Sequence, residues 1–273
     1  MITVIDVGNT NITIGVMKGE DVIASFRLTT SQRRTSDEFV AVFYALFHGK
    51  GIDERLVEGV VISSVVPKVM HSLRNSIYKF FDLEPIIIGA GIKTGIQIKT
   101  ENPKSVGADR IVDLVAGHYG YGGPLIIIDF GTATTYDYLS ADGVFEFGLT
   151  APGIETSATA LWSKAAQLPE IEIRKPESIK CKNTITSMQG GLVFGYIGQT
   201  EYIIKKIKEA VGEAKVIATG GLGRIIFNET QMIDEYDPNL SFKGMKVIYD
   251  KNRSDLGQTG SFLKNTGHGL RPR

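Results

Sequence analysis

Ile5-Asp6-Val7-Gly8-Asn9-Thr10 lies near the start of the chain, and Ile128-Asp129-Phe130-Gly131-Thr132-Ala133-Thr134-Thr135 lies near its middle. Each ends an apolar run, Ile2 to Ile5 and Leu125 to Ile128, with Asp, one apolar residue and Gly before hydroxyl or amide side chains. The two aspartates stand 123 positions apart, about the length of a small domain. Glycine lets the backbone turn sharply and approach a ligand closely. Successive N–H groups in such a turn form a concavity that attracts anions, and Thr and Asn add donors. A carboxylate beside that concavity opposes an anion unless a cation lies between them, and Mg2+ joins carboxylate to phosphate in this way. One copy reads equally well as a hairpin turn. Two copies at domain spacing read as a metal–nucleotide site assembled from two halves.

The elements around the two turns repeat one scheme. Ile2–Ile5, Ile12–Val16 and Val22–Arg27 form an expected meander, with Lys18-Gly19-Glu20-Asp21 as a turn. Phe39, Val40, Phe43 and Leu46 recur at helical spacing over residues 36–47. Val60–Ile62 is a short strand, and Pro67 opens a helix that runs to Phe81. Pro85–Ile88 is another strand. A further helix is expected from Asn102 as N-cap and Pro103 in its first turn. The second meander comprises Leu125–Asp129, Thr134–Leu139 and Val144–Leu149, with Ala141-Asp142-Gly143 as a turn. Helices follow over Ile154–Leu168 and from Thr184 to about Val211, then a strand over Lys215–Ala218. Gly190, Gly191 and Gly195 weaken the long helix; close backbone packing, at a subunit contact or against the cleft, would account for them. Alternating strands and helices give an α/β class. Residues 1–118 and 119–252 are the expected lobes. Residues 253–273, rich in Gly and without periodicity, are expected to be a disordered tail or a remnant of cloning.

Composition narrows the classes of partner. The 273 residues carry 30 Lys+Arg and 30 Asp+Glu, a net charge of zero that favours neither nucleic acid nor an anionic membrane. Cys181 stands alone, so no internal disulfide forms and a reducing compartment fits. Asp6 interrupts the apolar amino-terminal run, against a signal peptide, and no apolar stretch approaches a membrane span. A cytoplasmic protein is expected. The four histidines, His48, His71, His118 and His268, show no metal-ligand spacing. A P-loop is missing, and Gly120-Tyr121-Gly122-Gly123 precedes a strand instead of following one, against a dinucleotide fingerprint.

Between the two turns lies Asn102-Pro103-Lys104-Ser105-Val106-Gly107-Ala108-Asp109-Arg110-Ile111-Val112-Asp113. Asp109 and Asp113, four apart, share a helix face, and Arg110 adjoins it. A carboxylate beside a cleft takes a proton from a substrate hydroxyl if it stays ionised, and Arg grips carboxylates with two prongs. Spacing leaves the choice of base open between Asp109 and Asp113. Thr219-Gly220-Gly221, at the end of a strand, offers a platform free of side chains for adenine or ribose, or a tight turn. Thr184 opens the long helix as a cap or serves as a ligand donor.

In this order the segments resemble the type III pantothenate kinases. Asp6-Val7-Gly8-Asn9-Thr10 is similar to the first phosphate motif of that family. Asn102-Pro103 with Val106-Gly107-Ala108-Asp109-Arg110 is similar to the central signature, and Asp129-Phe130-Gly131-Thr132-Ala133-Thr134 to the second phosphate motif. Pro152-Gly153-Ile154, Leu168-Pro169, Asn183-Thr184 with Met188-Gln189-Gly190, and Ala218-Thr219-Gly220-Gly221 also keep the family order, and the likeness covers residues 1–252. It implies duplicated actin-like lobes, of the acetate and sugar kinase/heat-shock ATPase/actin superfamily, around a cleft. It implies ATP-dependent phosphorylation of pantothenate, the first step toward coenzyme A, by a homodimer. The cofactors implied are Mg2+ or another divalent metal with ATP, and K+ or NH4+.

By position, Asp109 becomes the proton acceptor, and Gly107, Ala108, Asp109 and Arg110 hold pantothenate. Thr184 contacts it too, in its own subunit or across the dimer. Asp6, Val7, Gly8, Asn9, Thr10, Asn11, Ile12, Thr13 and Thr132 hold ATP. Asp129 takes the monovalent cation and Asp6 the divalent metal. The alternatives are another small-molecule kinase of this fold and a non-enzymatic regulatory accessory protein.

Overall fold

In the computed structural model residues 1–263 are described, with side chains to Ser254. Two sheets repeat one topology. The first runs β3-β2-β1-β4-β5, from β1 (Ile2–Val7), β2 (Asn11–Lys18), β3 (Asp21–Thr29), β4 (Gly59–Ser64) and β5 (Ile86–Ile87). The second runs β11-β10-β7-β8-β9-β6, from β6 (Gln97–Ile98), β7 (Leu125–Phe130), β8 (Ala133–Leu139), β9 (Val144–Pro152), β10 (Lys215–Thr219) and β11 (Glu235–Tyr236). Strand for strand, β1, β2, β3, β4 and β5 correspond to β7, β8, β9, β10 and β11. In each sheet a meander is antiparallel and the two strands that follow are parallel. Both meanders stand where the period-2 pattern put them.

Helices cover both faces of each sheet. In α1 (Ser36–Gly49), a capping box joins Thr35 and Glu38 at the start, and Phe39, Phe43 and Phe47 are buried. They meet Leu73 and Ile77 of α2 (Pro67–Phe81) against Ile5, Val7, Ile12 and Ile14 of the sheet. In the second half Tyr196, Ile204 and Ile207 of α5 (Thr184–Val211) and Ile226 of α6 (Gly223–Phe227) close on Ile126, Ile128 and Val216.

The two remaining long helices lie between the sheets. Val112 and Val115 of α3 (Ala108–Tyr121) pack with Phe242, Met245 and Ile248 of α7 (Leu240–Leu263) against Val4 and Val61. Leu114 and Ala116 of α3 pack with Leu240 of α7 against Leu125, Ile127 and Ile217. A side chain at Gly244 would collide with the Val112 carbonyl, so a residue without Cβ is what lets α7 lie so close to α3. Helix α3 thus touches both sheets, and whatever its first turn carries is held between them.

The structure departs from the expected elements in five places. The helix expected from Asn102 divides into a 3-10 turn, Pro103–Ser105, and α3, because Val106 and Gly107 are extended; Gly107 is the N-cap and the Asn102 side chain caps nothing. Helix α4 (Ile154–Lys164) ends four residues before Leu168, whose place before Pro169 favours extended backbone. β6 joins the second sheet although it precedes residue 119, and α7 returns to the first although it follows residue 119. Helix also continues through residues 253–263 of the expected tail, while residues 264–273 lie outside the described residues. Helix α7 carries Phe242, Met245, Ile248 and Tyr249 at helical spacing, a signal present in the sequence despite Gly244.

Candidate active site

Asp6 and Asp129 occupy the same register place, one residue before the end of β1 and β7. Each faces a hydroxyl residue on the next parallel strand, Asp6 opposite Ser63 and Asp129 opposite Thr219. The turn after Asp6 is closed by the Gly8 N–H donating to the Asn11 carbonyl at 2.9 Å. It is tied down by Thr30, whose Oγ1 donates to the Gly8 carbonyl at 2.7 Å and whose N–H donates to the Thr10 carbonyl at 2.9 Å. The turn after Asp129 is held through the Thr132 carbonyl, which accepts from the Gly153 N–H at 3.0 Å and from Thr156 Oγ1 at 2.6 Å. The two turns meet: Thr10 Oγ1 and Thr132 Oγ1 are 3.2 Å apart.

Asp109 comes to the same place from α3. It is the second residue of that helix, half-buried, and its Oδ1 accepts the Arg110 N–H at 2.8 Å. A side chain on Gly107 would strike that oxygen, so Gly107 lets the carboxylate fold back over the helix start. The Asp109 charge acts on both Asp6 and Asp129, and the Asp6 charge acts on Asp129. Burial raises the Asp6 carboxyl to about 6; proximity of Ser63 holds it down and the negative charge of Asp109 raises it. Burial raises Asp129 to about 7, helped by the charges of Asp109, Asp6 and Asp137. The Ser63 hydroxyl is buried and has no hydrogen bond of good geometry, even though it lies near enough to act on Asp6.

Asp113 separates from Asp109 here. It is 5% exposed, accepts from Ser241 Oγ of α7 at 2.7 Å, and burial holds it well above the usual carboxylate range. A base must reach its proton, and of the two acids only Asp109 has an open side.

Arg110 does not face an open cleft with its whole fork. Its Nε donates to Asp137 Oδ2 at 2.9 Å, and its Nη2 donates to Asp137 Oδ1. The guanidinium also lies over the Phe145 ring, 5.3 Å from its centre. Asp137, in β8, is almost wholly buried, and a side chain at Gly148 in β9 would land on both partners of the pair. Local sequence pattern does not single out Asp137, Gly148, Ser63 or Ser241. The available signal is at Asp137: an Asp between Tyr136 and Tyr138 in an apolar strand is a buried charge awaiting a partner.

Thr184 is exposed at the start of α5, and the cap is its neighbour: Asn183 Oδ1 accepts the Thr186 N–H at 2.9 Å. Thr184 lines a cavity of about 790 Å3 with Leu161, Leu168, Cys181, Asn183 and Met188, and none of the three aspartates borders that cavity. Gly220, at φ +94°, lies where a Cβ would come within 2.6 Å of Asp129 Oδ1 and of the Phe130 backbone.

The donor set fits a divalent metal that arrives with phosphates. Three partly buried acids repel one another until a cation neutralises them. Among the described residues no group of three or more His, Cys, Asp or Glu side chains could by itself hold a metal ion; a metal that arrives with ATP takes most of its ligands from water and phosphate oxygens.

The family profile of type III pantothenate kinases matches residues 2–206. A curated type III pantothenate kinase from Agathobacter rectalis is 57% identical over 253 residues, 92% of this chain and 97% of the relative. The chain belongs to the type III pantothenate kinase family. It is a kinase that phosphorylates pantothenate at the expense of ATP, in coenzyme A biosynthesis. Solved structures agree on the fold. One is described as a conserved putative Baf family transcriptional activator from Campylobacter jejuni (TM-score 0.57, 20% identity, 93% of this chain and 100% of that one). Another is the activator of 2-hydroxyisocaproyl-CoA dehydratase from Clostridium difficile, solved with bound ADPNP (TM-score 0.54, 12% identity, 99% of each chain). Among the described residues no helix is long and apolar enough to cross a membrane.

Proposed function

We propose that Asp109 is the base of this reaction, with ATP held between the turns at Asp6–Thr13 and Thr132. The observation that carries the reading is that Thr10 and Thr132 meet at the ends of the strands bearing Asp6 and Asp129, and that the Asp109 charge acts on both of those acids. Phosphoryl transfer depends on positioning and charge neutralisation more than on covalent help. The primary hydroxyl of pantothenate lies against Asp109, and the pantothenate carboxylate lies against the first turn of α3. There the N–H groups of Ala108 and Asp109 have no partner within the helix. Because Arg110 is committed to Asp137, it contributes its remaining Nη1 and its charge instead of a free fork. Asp109 accepts the hydroxyl proton as the oxygen attacks the γ-phosphorus. The bond to the β-phosphate oxygen breaks, and ADP and 4'-phosphopantothenate leave.

Asp6 holds the divalent metal that accompanies ATP, which supplies charge neutralisation at the phosphate oxygens. Asp129 holds K+ or NH4+, a reading supported by a buried carboxyl that ionises readily only beside a cation. The two lobes meet along α3 and α7. The enzyme acts in the cytoplasm as a homodimer, with Thr184 lent to the partner's site. Support comes from the Thr184 cavity, which none of the three acids borders, and from α5 itself, where Gly191, Gly195 and Gly198 face open space and Ile185 and Tyr202 are exposed.

The test is an ATP-consumption assay with pantothenate, sugars and acetate, with and without K+. Turnover should require pantothenate and K+ or NH4+. Asp129→Ala should abolish the cation response; normal turnover of that variant without cations would remove the assignment. Mixing Asp109→Asn with Thr184→Val subunits should restore activity if Thr184 acts across the dimer, and no restoration would return it to its own subunit.

A further inference from the structure

Arg27 lies on β3, opposite Thr13 of β2. Its neighbours Phe26 and Leu28 turn into the core of the first sheet, and Arg27 itself is exposed on the other face. Although it belongs to the first sheet, its guanidinium reaches the second. A methyl group added at Gly221 would lie 3.7 Å from Arg27 Nη1 and 3.9 Å from Nη2. Gly221 follows β10 directly after Gly220, which packs on Asp129. Tyr236 closes the same turn, donating to the Gly220 carbonyl at 2.7 Å, with Arg224 5.3 Å from its ring centre. The charges of Arg224, Asp129 and Arg27 all act on that phenol, so the four groups share one neighbourhood. Among the described residues, Arg27 forms no ion pair and donates no hydrogen bond.

An arginine fork without a carboxylate partner, held across a cleft from a turn free of side chains, suits one kind of ligand. Its planar donors match phosphate oxygens; with adenine or ribose on the Thr219-Gly220-Gly221 platform, the phosphate chain of ATP runs from the second sheet to the meeting point of the two turns and passes Arg27. We propose that Arg27 binds the nucleotide's phosphates from the first lobe, on the adenosine side of the chain, and so ties the lobes together when ATP is bound. This rests on the placement of ATP between the two turns argued above. Nothing else on β3 enters that placement, so Arg27 is an additional nucleotide-binding residue.

The test compares R27A, R27K and T132V with the full-length wild-type enzyme. ATP and ADP affinities are measured by titration calorimetry, adenosine by competition in the kinase assay, and melting temperature reports the fold. R27A should weaken ATP and ADP binding roughly 10- to 100-fold, the loss expected for a charge-assisted hydrogen bond. Adenosine affinity and the KM for pantothenate at saturating ATP should not move, and R27K should recover part of the loss. Unchanged ATP and ADP affinity in an R27A protein with wild-type melting temperature overturns the inference, as does an equal loss for adenosine. If T132V weakens ATP binding while R27A does not, only the role of Arg27 falls. If neither variant weakens it, the placement of ATP is wrong as well.

Discussion

Replacing Asp137 with Ala strands a charge. Arg110 keeps only 23% of its side-chain exposure and Asp137 only 3%, and two guanidinium nitrogens of Arg110 end on that carboxylate. Removing one member of a buried pair costs about 3–5 kcal/mol, because the survivor stays desolvated without a partner. The remaining exposure of Arg110 lets water recover part of that, so about 2–4 kcal/mol is expected for Asp137→Ala. Asp137→Asn keeps one acceptor and should lose roughly half as much. The double variant Arg110→Met with Asp137→Leu fills the space with apolar groups and should regain most of the stability, though not the activity. Urea denaturation gives the stabilities. Steady-state kinetics give the second readout: freed from Asp137, Arg110 no longer fixes the start of α3, and the KM for pantothenate should rise. Asp137→Ala with stability within about 0.5 kcal/mol of wild type, the range of ordinary surface changes, and an unchanged KM would refute the reasoning.

Three other outcomes are expected. Asp109→Asn should lower kcat by roughly 10^2- to 10^4-fold, the usual worth of a general base, while calorimetry still detects ATP binding; near-normal turnover would exclude Asp109 as the base. With folded carboxyls at about 6 and 7 against an ordinary 3.8, Asp6 and Asp129 retain protons that the unfolded chain releases. In cation-free buffer their contribution is neutral below about pH 4, and the folded state loses stability as pH rises through about 4 to 7. Melting temperatures at pH 5 and 8 should therefore show a smaller alkaline loss in Asp129→Asn than in wild type, and a larger one would reverse the sign of the argument. Gly220→Ala forces a left-handed backbone on alanine and drives its Cβ at Asp129 and Phe130, so a cost of about 1–3 kcal/mol and weakened ATP binding should follow; unaltered ATP affinity would separate this turn from the nucleotide.

Much of this molecule is written in local pattern. Period-2 alternation and Gly-containing turns locate both meanders, and the repeated Asp-x-Gly puts Asp6 and Asp129 at equivalent strand ends. Helices α1 and α2 announced themselves through phenylalanine spacing and Pro67. What depends on side chains far apart in sequence was less legible. Nothing near Arg110 shows that its fork ends on a carboxylate 27 positions away in a strand. Nothing near Asp113 shows that Ser241 will cover it from α7. The extended backbone at Val106 and Gly107 was hidden by Asn102-Pro103, which mimics a helix start, although the true start five residues later is what exposes Asp109.

The sequence alone determined that two acidic turns exist, which strands carry them, and that a Gly-Ala-Asp-Arg segment lies between them, because strand register and turn chemistry act over a few residues. Packing of distant segments holds α3 between the sheets, leaves Asp109 open while it seals Asp113, and binds Arg110 to Asp137. Burial and charge pairing are set by how distant segments pack, and local periodicity gives a residue's face without giving what that face will meet.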